Sequence, residues 1–98
     1  MQLFNKTFVV AKSAATLDMG FKARDVYLTN QSATPTVWAR FGSAAAGTVA
    51  STTDGSHNLA VKPGKTLSPS FLLQQGSQFV STISTSSATL HLWSVGFD

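Results

Sequence analysis

Asp54, Ser56 and His57 lie within four residues of one another and carry an acid, a hydroxyl and an imidazole, the groups of a hydrolytic triad. Triad members converge from separate elements on a rigid support, with the base held between acid and nucleophile. A run of Asp54-Gly55-Ser56-His57 is turn chemistry instead, because aspartate and glycine favour tight reversals. Paired-carboxylate chemistry would need two of Asp18, Asp25, Asp54 and Asp98, and these fall in unrelated stretches or at the end of the sequence. His57 and His91 have no partner at metal-ligand spacing. The absence of cysteine excludes thiolate zinc sites, a thiol nucleophile and disulfides. The glycines separate extended segments and form no phosphate-cradling loop. The expectation is a protein without catalysis, metal or cofactor. Asn5-Lys6-Thr7 and Asn30-Gln31-Ser32 match the glycosylation sequon, which matters only in a secreted chain.

Charge directs attention to binding. The net charge of +3 comes from Lys6, Lys12, Lys22, Arg24, Arg40, Lys62 and Lys65. No run of them would neutralise successive phosphates, so nucleic acid is not the expected partner. Lys6, Lys12, Lys22 and Arg24 stand against Asp18 alone and form a basic N-terminal segment, about residues 1–23, suited to act as an attachment arm. The apolar run Phe8-Val9-Val10-Ala11 after Lys6 imitates a secretory signal, but is shorter than the ~7 to 15 residues its central region needs. It is read as a first strand, Thr7 to Ala11, and the chain is expected to stay in a cytosol-like compartment. No stretch reaches the ~18 apolar residues of a helical membrane span.

The elements that must position these residues are strands. Serine and threonine together outnumber the charged residues and glutamate is absent, a composition poor in surface-helix formers. The 98 residues fit one domain. Short apolar segments follow at Asp25 to Asn30, Thr36 to Phe41, Leu59 to Val61, Thr66 to Leu73, Gln78 to Ser84 and Ala88 to Val95. The first two read as a hairpin closed by Asn30 to Pro35, and Lys62-Pro63-Gly64-Lys65 as a type II turn. Residues 42 to 57 read as a long mobile loop holding at most a brief strand at Thr48 to Ala50, and Ser13 to Met19 tolerates one helical turn. The expected fold is all-β: a small antiparallel β-sandwich, jelly-roll-like or immunoglobulin-like, of about seven strands.

Alternation along these strands turns Val26, Leu28, Val37, Ala39, Phe41, Leu90 and Leu92 to one side. It leaves Tyr27, Trp38, Arg40, His91 and Trp93 on the other. Aromatic residues and arginine are enriched where proteins meet proteins, so these five are the candidate protein interface. Cover by the chain's own N-terminal segment and a stacking platform for a glycan are the alternatives.

Asn30 to Gly42, the small-residue loop ending Asp54-Gly55, Leu59-Ala60-Val61-Lys62-Pro63-Gly64 and the final apolar strand resemble small β-sandwich virion proteins of tailed bacteriophages, among them capsid decoration, or cement, proteins. The likeness runs from Arg24 to Val95. It implies a non-enzymatic protein, present in the virion after assembly in the host cytoplasm, that binds the major capsid protein as a dimer or trimer and stabilises the shell. The alternatives within that resemblance are a receptor- or glycan-binding module of a tail fibre or spike and a head-tail connector subunit.

Overall fold

The computed structural model describes residues 2–43, 50, 59–68 and 76–96. They form seven antiparallel strands, β1 (Leu3–Val10), β2 (Ala15–Asn30), β3 (Val37–Gly42), β4 (Leu59–Val61), β5 (Thr66–Leu67), β6 (Ser77–Ser84) and β7 (Ala88–Gly96), with no helix among the described residues. The helical turn considered for Ser13 to Met19 is therefore the turn before β2 and the first part of β2 itself. The Asp54-Gly55-Ser56-His57 turn and Thr48-Val49 of the brief strand lie outside the described residues, and Ala50, its last residue, is in no strand.

One long strand organises the fold. Ala15 to Asp18 of β2 pair with β6, and the register then shifts across Asp18 to Ala23. From Asp25 to Asn30 the same strand pairs with β7. Gly20 sits in that shift with φ of 83°, a left-handed conformation open to glycine at little cost. Its amide donates to Asp18 Oδ1 at 2.8 Å, which closes the bend. β2 thus contributes one half to each of two layers, β1-β7-β2-β5 and β2-β6-β3-β4. With β2 counted in both, this is the eight-strand double-sheet order of a jelly roll.

Contacts across the layers show that the sheet folds onto itself. β2 and β4 are separated by β6 and β3 in the pairing order, a distance of roughly 14 Å if the strands lay flat. Yet Asn30 Nδ2 lies 3.0 Å from Val61 O. The shortest dimension, 20 Å, fits two sheets ~10 Å apart with side chains on both outer faces.

The apolar positions picked out by alternation face each other across this gap. Val26, Leu28, Val37, Ala39, Leu90 and Leu92 are fully buried, together with Val80, and Phe41 packs against them from the rim. Each buried leucine contributes about 2 kcal/mol of transfer free energy. The expected hairpin between residues 25–30 and 36–41 does not form: β3 pairs with β4 and β6, and β2 with β5, β6 and β7. Residues 31–36 carry the chain from one layer to the other instead. The Lys62 to Lys65 turn does form, with Gly64 at φ of 72° and Lys65 N donating to Lys62 O at 3.0 Å, and it too crosses between layers.

Candidate functional site

Outer faces hold the residues of interest. Register places Tyr27 beside Trp93 and Asn5 on the far side of Trp93. The next row runs Thr7, His91, Thr29, Thr66 across four strands. The Tyr27 and Trp93 rings lie 4.9 Å apart at 40°, a tilted aromatic pair of the kind that adds about 1 kcal/mol beyond area burial. His91 Nε2 and Asn5 Oδ1 are 2.6 Å apart, within hydrogen-bond distance. Thr29 and Thr66 share a hydroxyl bond of 2.9 Å. Tyr27 remains 38% exposed in the middle of this face, and Leu3, 58% exposed, lies at its lower edge. The face is apolar at its centre and fringed with donors and acceptors.

Trp38 and Arg40 lie elsewhere. They project from β3 on the outer side of the other sheet, where Trp38 is in register with Ile83 and Ala60, and Arg40 with Ser81. Both are half-buried. The structure therefore brings Tyr27, His91 and Trp93 together and puts Trp38 and Arg40 on the opposite surface. Adjacent strands can share an alternation and still belong to different layers, so alternation alone could not separate the two groups.

Most of the N-terminal segment is built into the sheets. Lys6 lies on edge strand β1, Lys12 in the turn at one end of the sandwich, and Lys22 and Arg24 on β2 near the other end. All four are exposed, and Arg24 Nε meets Asp25 Oδ2 at 3.0 Å in a surface ion pair, a contact of small energetic weight. These four cations are spread along the molecule and do not converge.

Two polar centres escaped the sequence reading. Asn30 is fully buried. Its amide donates to Pro35 O at 2.8 Å and to Val61 O at 3.0 Å and accepts from Ser32 N at 3.0 Å, tying together β2, the 31–36 crossing and β4. The Asn30-Gln31-Ser32 sequon thus has its amide nitrogen committed inside the fold. Asp18 Oδ1 accepts from Gln78 Nε2 at 3.0 Å and from Gly20 N. These bonds, that of Gln78 first, hold its carboxyl below the ordinary aspartate range. Asn30 in a turn-like run was a usable signal for the first; the second needs strand pairing that spacing does not reveal.

Comparison with known proteins reaches the fold. No family model matches the chain, and no curated protein does. It is similar to the solved structure of a Bacillus endospore appendage subunit, one of a family of disulfide-linked pili, at 14% identity and a TM-score of 0.52, over 96% of this chain and 85% of that one. The likeness establishes a shared jelly-roll-type architecture.

This match overturns the resemblance to phage capsid decoration proteins. That resemblance rested on turn and strand punctuation common to small sandwiches and left out the N-terminal quarter, whereas the pilus match spans nearly the whole chain. The decoration role, the capsid partner, the virion location, and the tail-fibre and connector alternatives fall with it. One property of the similar pili cannot carry over: with no cysteine, this chain forms no disulfide to a neighbour.

Proposed function

We propose that this protein is a structural subunit that assembles with copies of itself into an extended surface appendage, held by non-covalent contacts. The observation that carries this reading is the full-length fold likeness to a pilus subunit. The Tyr27–Trp93 face supports it, since an aromatic pair with Tyr27 exposed and Trp93 half-buried, fringed by Asn5, His91 and Thr29, has the make-up of an interface core with a polar rim. Two opposite aromatic-bearing faces, one with Trp93 and one with Trp38, suit a contact in which different surfaces meet. Such heterologous contacts propagate into filaments when the rotation does not close.

The test is electron microscopy of the purified chain, alone and as Trp93→Ala. Filaments or rings are expected from the natural chain, and shorter or fewer ones from the variant at unchanged circular dichroism. Particles no larger than the 36 Å length of one subunit at every concentration would contradict the reading. Assembly unaltered in Trp93→Ala would remove this face from the contact.

A further inference from the structure

Strand β1 is the least embedded of the long strands. Of its eight residues only Val10 is buried, with Phe4 and Phe8 partly so. The remaining inward position is Lys6, which stands opposite fully buried Leu92 and is itself exposed. Neighbouring β7 is the reverse, with Ala88, Leu90, Leu92, Ser94, Val95 and Gly96 all buried. Among the described strands β1 bonds only to β7.

The hydrogen-bond pattern fixes which groups β1 uses. Thr89 N donates to Ser32 Oγ at 2.7 Å and Thr89 O accepts from Gln31 N at 2.9 Å, so its backbone groups point away from β1. Val9 and Thr89 are consequently a pair without mutual hydrogen bonds, the closer kind of antiparallel pair. Gly96 N donates to Gln2 O at 2.8 Å at the other end. Alternation between these two points directs the backbone groups of Leu3, Asn5, Thr7 and Val9 outward along an edge with which no other described strand pairs.

Such an edge is a template for another strand, and a charged residue facing inward on it is a known device against that addition. Lys6 occupies that position. Simple stacking of a neighbour's strand against β1 is therefore disfavoured, whereas replacing β1 by the same strand of another copy leaves Lys6 where it already sits.

We infer that β1 is exchanged between copies: the β1 of one subunit seats on the β7 of the next, in the register it makes within a single chain. The inference rests on the assembly reading above and names its contact. Exchange reuses every β1–β7 pairing bond of the closed subunit, so it needs no new complementary surface. It needs only that the weakest-held strand opens, and local opening is easiest where little is buried. Ala11 to Ala14, all exposed, join β1 to β2; extended, four residues span about 13 Å. Each subunit gives one strand and receives one, which propagates head to tail.

The chain has no cysteine of its own, so introduced thiols report cleanly. Val9→Cys and Thr89→Cys chains are co-refolded in equal amounts under reductant, allowed to assemble and then oxidised. Exchange predicts a covalent heterodimer bonded between positions 9 and 89, identified by mass spectrometry, and well above the yield from Val9→Cys mixed with Lys62→Cys. It also predicts that a chain carrying both Val9→Cys and Thr89→Cys stays monomeric when oxidised alone at low concentration and assembles again on reduction. A natural chain that assembles while the heterodimer stays at background overturns strand exchange and leaves assembly standing. A natural chain that never assembles removes both.

Discussion

Truncating Asn30 to alanine would strand three partners at once: the buried carbonyls of Pro35 and Val61 and the part-buried amide of Ser32. Each buried group left unpaired costs about 1 to 3 kcal/mol, so Asn30→Ala is expected to lower stability by about 3 kcal/mol in urea unfolding. A loss under about 1 kcal/mol would mean that the amide does not hold the two layers together. Ser94 presents the opposite case. Its hydroxyl is fully buried with no hydrogen-bond partner among the described residues, so Ser94→Ala should raise the unfolding midpoint, by about 1 kcal/mol in stability. Asp18 gives a pH dependence. Its folded-state pKa is depressed, so its stabilising contribution is present above the ordinary aspartate value and is lost as pH falls through the lower folded value. The melting-temperature difference between the natural chain and Asp18→Ala should therefore be largest near neutrality and shrink in strong acid; a difference that grows in acid would contradict the assignment. Inward residues such as Val26, Leu28, Leu90 and Leu92 were legible in the sequence because alternation marks them directly. Asn30 was read only as a turn residue, because a side chain suited to turns is equally suited to bonding buried carbonyls, and only the fold decides between them.

Strands were legible as elements more readily than their partners. The turn chemistry around Pro35 and Gly64 was correctly placed, but the same residues close a hairpin or arch over to the other layer. Hence the hairpin expected over residues 25–41 is a crossing between sheets. β2 was underestimated for a related reason: alternation runs unbroken from Leu17 to Ala23 and changes phase at Arg24-Asp25, and a change of phase resembles a terminus. The structure resolves it as a register shift within a continuous strand, which has already bent at Gly20, a residue with positive φ. An alanine at position 20 would meet no atom within 4 Å, so its cost is conformational alone. Gly20→Ala is expected to destabilise by about 1 to 2 kcal/mol, with the fold retained. An unchanged midpoint would mean that the bend does not require the left-handed conformation.

As a whole molecule, this jelly roll has one aromatic-bearing outer face per sheet and an edge strand that lies almost entirely at the surface. Its accessible surface is 5237 Å², and two standard contacts of roughly 800 Å² each would cover about a third of it. Assembly would therefore be a major part of its stability, and the unfolding temperature of the natural chain should rise with protein concentration. The two-sidedness of the strands was legible in the sequence. The identity of the partner was not, since any sandwich that binds another surface shows the same alternation. The most direct measurement is sedimentation velocity of the natural chain across a wide concentration range, with and without reductant. The account predicts a mass that climbs with concentration and is indifferent to reductant; a single 10.3 kDa species throughout would contradict it.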